Sequence, residues 1–340
     1  SAGAVLVLAG SSSVDASAGL SFGGMEALFH IASGGTLNIA GMVAGSAGLT
    51  KTLSGVLQLS SPQMYTGMTS VNGGTLLLAG GNNTLLPGSN LGVNLGGLLD
   101  LGNTSQLVGD LINASARNGV LEGAGGIIQG SLGATLVTNQ SNTSRTFAGS
   151  MQGGMNFVRV GLNSLFLNAN NTFTGATRLL GGLTDLRDFG RLSGTTAVTL
   201  NYGELRLDNT GYSDLSGRIN ASAPISLSGG TLSVYGRAQT ASVESLGALT
   251  LAQGLSSITL TPGGTGINSV DVTLASLTQS LGATVNFTNS NMGLIGSNPR
   301  LALTSALLLT NNILPWAVVA GADFASYVGY GTLGSAAAGG

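Results

Sequence analysis

The chain has 340 residues, with 11 basic and 13 acidic residues, a net charge of −2, and only 7% charged positions, against roughly 25% in a typical soluble domain. That balance excludes a nucleic-acid partner, because phosphate contacts need clustered Lys and Arg and Lys51 is the only lysine. There is no cysteine, which excludes disulfides, thiolate metal sites and thiol catalysis. The 57 glycines disfavour helices, since each costs about 1 kcal/mol relative to Ala.

The first ten residues, Ser1 to Gly10, have an apolar centre but no basic start, so they do not read as a signal peptide. Alternation then dominates. Thr36-Leu37-Asn38-Ile39, Val56-Leu57-Gln58-Leu59, Glu204-Leu205-Arg206-Leu207 and Thr231-Leu232-Ser233-Val234 place an apolar residue at every second position, which sends those side chains to one face of a strand. Gly-Gly, Asn-Gly and Ser-Gly pairs bound these segments and accept turn conformations. The Gly-Gly-Thr-Leu element occurs at Gly34-Gly35, Gly73-Gly74 and Gly229-Gly230, with a degenerate form at Gly181-Gly182.

The chain also repeats on a longer scale. Gly55-Val56-Leu57-Gln58-Leu59 returns as Asn163-Ser164-Leu165-Phe166-Leu167, and Tyr65-Thr66-Gly67 returns as Phe173-Thr174-Gly175. The block ending at Asn103 returns ending at Asn209. Apolar alternation and turn residues persist while the residues between them drift, as in a stacking repeat. The spacing predicts an all-β parallel β-helix, a β-solenoid of about 22 residues per circuit and about 15 circuits. Residues 1–300 are expected to form a continuous solenoid, with the duplication at about 55–103 and 163–209. Residues 301–340 are expected to form terminal rungs, a junction or an end-piece. Asn103 and Asn209 are candidates for stacked amide ladders.

Leu49-Thr50-Lys51-Thr52-Leu53-Ser54-Gly55, followed by Met64-Tyr65-Thr66-Gly67 and Val71-Asn72-Gly73-Gly74-Thr75-Leu76, resembles the autotransporter-associated β-strand repeat. Asn171-Thr172-Phe173-Thr174-Gly175 carries the same core, and the segment from Ile313 to Tyr327 resembles a block of large bacterial surface proteins bearing such repeats. The resemblance implies a right-handed parallel β-helix secreted and displayed outside a bacterial cell. The chain closes on Gly334-Ser335-Ala336 and further small residues rather than on a barrel, so a module of a longer fibre is expected.

Chemistry is sparse. His30 is the one histidine, so a multi-histidine metal site cannot be built, and a half-buried strand residue is expected. Gly123-Ala124-Gly125-Gly126 and Gly263-Gly264-Thr265-Gly266 lack the Lys-Ser/Thr of a phosphate loop. Trp316 beside Pro315 reads as a packed end or module junction. The one concentration of charge lies between Arg178 and Arg218. Within it, Arg178, Asp185, Arg187, Asp188, Arg191, Arg206 and Asp208 form a candidate contact surface, near Tyr202 and Tyr212. Three readings of this region stand: a face of mutually compensating charges, a glycan-binding face, or a polysaccharide-cleaving groove using Asp185, Asp188 and Asp208.

The expectation is an extracellular structural solenoid of a bacterial surface filament, stalk or fibre, not an enzyme and without cofactors. It would assemble by axial stacking with copies of itself or with adjoining modules. The alternative is an adhesin module binding surface glycans. Leu301 to Ala320 is the most apolar stretch, but Asn311-Asn312 and Pro315 interrupt it, so no membrane-spanning helix is expected. Aromatics are only 5%, too few for the girdles of a membrane barrel.

Overall fold

The computed structural model describes residues 2–113, 123–264, 266, 268–294, 296–329 and 332–335. Among them there is no helix. The chain forms a β-solenoid of about 11 turns with mostly parallel sheets, divided into two compact units, Ser1–Gly175 and Ala176–Gly340.

In the first unit the laps contribute strands to three faces, the third of which has no strand between Leu78 and Leu91. The first face stacks Ala2–Val7, Glu26–Ile31, Leu49–Thr52, Thr69–Val71, Leu91–Val93 and Leu111–Ile112. The second stacks Gly10–Val14, Gly35–Ile39, Val56–Leu59, Gly74–Leu78, Gly97–Asp100, Ile127–Gly130 and Ser150–Gly153. The third begins with Leu20–Ser21, Val43–Gly45 and Met64–Tyr65, and later carries Ser105–Val108, Thr135–Asn139 and Asn156–Val160. Every one of these pairings is parallel, so backbone donors and acceptors are satisfied between laps rather than by hairpins.

The alternation read from the sequence sets the register. On the second face Leu37 pairs with Leu57, Leu57 with Leu76, Leu76 with Leu99, Leu99 with Ile128, and Ile128 with Met151. All six are buried, so one apolar column runs through the unit. A slip of one residue in any lap would turn its whole apolar set outward. Outward-facing positions form matching polar columns. Asn94 donates to Asn72 at 2.7 Å and Asn113 donates to Asn94 at 3.1 Å, an amide ladder of three laps. Gln129 donates to Asp100 at 2.8 Å and Gln152 to Gln129 at 3.3 Å.

The corners explain the glycines. Gly34 and Gly229 take φ of +74° and +71°, where a Cβ is strained. In the Gly73-Gly74 copy the positive φ falls on Gly74 instead, and a Cβ there would lie 2.4 Å from two carbonyl oxygens of the previous lap. Gly35 and Gly230 follow the turn and enter the strand beside the previous lap, and Gly181-Gly182 occupies the corresponding corner ahead of Leu183–Arg187.

The second unit keeps two main ladders. One runs through Thr177–Leu179, Val198–Asn201, Ile225–Ser228, Ala241–Gln253, Ser269–Gln279 and Pro299–Leu303; the other through Leu183–Arg187, Glu204–Asp208, Thr231–Ala238, Leu255–Gly263, Thr284–Phe287 and Leu314–Val319. Leu205, Leu232, Ile258, Phe287 and Val319 form its apolar column. The turn count falls below the 15 expected because laps lengthen. Thr250 meets Thr278 and Thr259 meets Thr288 across 28 and 29 residues, and Arg145 reaches back 35 residues to Asp110.

The end of the second unit changes pattern. Asp323–Gly329 runs antiparallel to Leu314–Val319 and to Thr332–Ser335, and the latter is antiparallel to Pro299–Leu303. Trp316 is half-buried in this region. Residues 336–340 lie outside the described residues.

The sequence duplication is not a duplication of place. Val56–Leu59 lies on the second face, whereas Leu165–Leu167 pairs with Arg145–Phe147, which follows Leu111–Ile112 on the first face through Asn113 N–H donating to Thr146 O. The second copy therefore enters one face earlier.

The continuous column gives a direct test. Leu57→Ala opens a cavity flanked by Leu37 and Leu76, and should cost about 3 kcal/mol, read as a lowered urea midpoint with an unchanged slope.

Candidate functional site

The charged residues between Arg178 and Arg218 fall on successive laps of the second unit, where register decides which of them meet. Asp185 pairs with Arg206, and Arg187 with Asp208. Arg206 Nη1 lies 3.7 Å from Asp185 Oδ2, and its Nη2 donates to Glu204 at 3.1 Å. Its guanidinium stacks 4.6 Å from the ring centroid of Tyr235 on the next lap. Arg187 Nη1 lies 3.4 Å from Asp208 Oδ2 and its Nε 4.0 Å from Asp188 Oδ1. Opposite charges alternate along each column because like charges stacked directly would repel.

Asp185 and Asp208 have fully buried side chains, so these pairs differ from loose surface contacts. The loop after Asp208 folds over them. Asp208 Oδ1 holds the N–H of Thr210 at 2.8 Å, and Asp188 Oδ1 holds the N–H of Tyr212 at 2.7 Å. Arg218 closes the loop from beneath. It is fully buried and donates to Asn209 Oδ1 and to the carbonyls of Gly190, Asp208 and Ser213 at 2.7–3.2 Å. Arg191 lies close enough to raise the cost of that charge.

Arg178 stands apart, exposed on Thr177–Leu179 and opposite Thr199. Asn209 serves Arg218 rather than an amide ladder, and Asn103 is exposed; the ladder of the first unit uses Asn72, Asn94 and Asn113.

Four buried ionisable residues carry no functional signal that the charge count revealed. Lys51 points into the core, between Phe29 and Val71 in register. Its ammonium donates to the carbonyls of Thr52, Leu53 and Gly73 at 2.8–3.0 Å, and burial pushes its pKa down to about 8. It ties one corner to the next lap and holds Leu53 at φ +61°. Arg159, 108 residues on, is buried likewise; it donates to Gly161 O at 2.6 Å, and burial lowers its pKa to about 10. Its place in the repeat, opposite the chain's one lysine, was the signal available in the sequence. Burial also lowers Arg218 to about 10. Glu244 on the next lap accepts the N–H of Arg218 at 3.0 Å, and burial raises its carboxyl to about 7.

The remaining candidates are structural. His30 is half-buried, with Nδ1 2.5 Å from Thr52 Oγ1. Gly123, Gly125 and Gly126 line a corner depression of about 440 Å³ with Leu95, Ile127, Ala148 and Ala169; its lining holds no titratable side chain. Thr265 of the other glycine-rich stretch lies outside the described residues. Among the described residues no group of three or more His, Cys, Asp or Glu converges to hold a metal ion, and no helix is long and apolar enough to cross a membrane.

The chain is similar to the adhesin BmaC autotransporter of Brucella suis biovar 1 (strain 1330), at 29% identity over 311 residues, covering 88% of this chain and 8% of that protein. The chain thus spans less than a tenth of its relative's length. No family model matches the chain, so the autotransporter-associated repeat rests on the residues quoted above. No solved structure matches it.

Two outcomes follow from this geometry. Replacing Arg206 by Ala removes its pairing with Asp185 and Glu204 and its stack on Tyr235 and should cost on the order of 2 kcal/mol, measured by chemical denaturation; Arg206 is therefore a poor probe of ligand binding. Glu244 binds its proton more tightly folded than unfolded, so stability should fall as pH rises from about 4.5 to about 7 and then level off, by on the order of 3 kcal/mol. Glu244→Gln should flatten that slope in a pH series of thermal melts.

Proposed function

We propose that this chain is a β-solenoid module of an adhesin-type passenger displayed outside a bacterial cell, supplying stiffness, length and an adhesive surface rather than catalysis. The observation that carries the reading is the match over 88% of the chain to an autotransporter adhesin, joined to a solenoid whose unit interiors are filled by apolar columns. The charged region supports the same reading. Its Asp185 and Asp208 carboxylates are buried and engaged by Arg206 and Arg187, which keeps them out of reach of a glycan. Stacking against adjoining modules fits the parallel ladders, whose edge groups pair most readily with another lap of the same kind.

Surface labelling checks the proposal. Antibody against this chain should label intact bacteria that express the parent protein, external protease should remove the label, and beads coated with the purified chain should adhere to host cells or to a glycan-coated surface. Label that appears only after permeabilisation would overturn it.

A further inference from the structure

One residue in the second unit breaks the rule of its corner. Gly229-Gly230-Thr231-Leu232 turns with Gly229 at φ +71°, and Gly34 does the same at +74° in the other unit. One lap before Gly229 the corresponding residues are Tyr202-Gly203-Glu204-Leu205, in register with Thr231 and Leu232 through Glu204 and Leu205. Tyr202 therefore occupies the glycine position, at φ +59°. A bulky L-residue is strained there. Leu53 adopts a similar φ, but its carbonyl is held by Lys51. The side chain of Tyr202 is 72% exposed.

The surroundings show what the ring is for. A Cβ on Gly229 would lie 2.8 Å from Tyr202 Cε1, so the ring packs against a glycine of the next lap. The corner around it runs through Gly181, Gly203, Gly229 and Gly254, which leaves the ring unobstructed. Beside it Asn201 pairs in register with Ser228, and both residues are half-exposed. A rigid aromatic face next to a half-exposed amide residue and a hydroxyl is complementary to a pyranose. Such a ring offers apolar C–H groups to the negative face of an aromatic and hydroxyls to the neighbouring polar groups.

We propose that Tyr202 is the stacking platform of a carbohydrate-binding site, with Asn201 and Ser228 as its polar rim. This deepens the adhesive reading above by naming the ligand class, and it rests on that reading only for its biological setting. Arg206 and the buried ion pairs beneath form the scaffold of this face and do not contact the ligand.

The test uses the full chain, an array of neutral hexose, N-acetylhexosamine and uronate oligosaccharides, and the variants Tyr202→Gly and Tyr202→Phe. The expected result is retention of at least one oligosaccharide class by the parent chain and by Tyr202→Phe. Tyr202→Gly, which restores the repeat's own residue, should lose affinity tenfold or more, while its melting temperature stays level or rises. Binding unchanged in Tyr202→Gly, a lowered melting temperature in that variant, or no oligosaccharide retained by the parent chain would each overturn the proposal. The surface-labelling experiment is independent of these arms, so a displayed module that ignores sugars would fail this inference alone.

Discussion

Parallel pairing between successive laps is the constraint on which everything else in this chain depends. A lap without hairpins has no internal partner for its backbone groups, so each N–H and C=O must meet the lap before or after at about 4.8 Å. Side chains are then forced into columns of near neighbours. Leucine, isoleucine and methionine tolerate this indefinitely, as the column from Leu37 to Met151 shows. Amides and hydroxyls tolerate it by bonding along the column, as Asn72, Asn94 and Asn113 do. Charges tolerate it only in alternation, which is why the few present concentrate where Asp185 meets Arg206 and Arg187 meets Asp208.

Much of this was legible in the residues. Alternation around Leu37, Leu57, Leu205 and Leu232 gave strand direction and inward face, and paired glycines marked corners. Lap length was less legible, because long strands such as Ala241–Gln253 have no sharper punctuation than short ones. The duplication marked a stacking fold correctly, yet it misled about place, since one added stretch between Asn113 and Thr146 advances the second copy by a face. The similarity to an autotransporter adhesin emerged only on comparison, and the repeat family suggested by Leu49 to Leu76 has no matching family model.

The charged region shows where composition stops. Counting found Arg178 to Arg218, but not that Asp185 and Asp208 would be buried. That follows from a loop that doubles back through Asn209 and Arg218 over the strand beneath it, a tertiary event with no local pattern. Lys51, Arg159 and Glu244 were missed for a related reason. Polar residues near glycine-rich corners read as solvated, whereas a solenoid corner presents a cluster of inward carbonyls or N–H groups that a buried ion can bridge. Tyr202 carries the opposite lesson: a side chain placed where the repeat uses glycine is strained for the fold and free for a ligand.

In-register stacking in the first unit can be measured directly by distance. The outward column of the second face runs Asn38, Gln58, Leu77, Asp100, Gln129, Gln152, and the absence of native cysteine allows clean pairwise spin labelling. Labels at Asn38→Cys and Gln129→Cys should give a backbone separation near 19 Å, and at Asn38→Cys and Gln152→Cys near 24 Å, about 4.8 Å per lap. Separations that fail to increase with lap number, or that scatter broadly for every pair, would contradict the account.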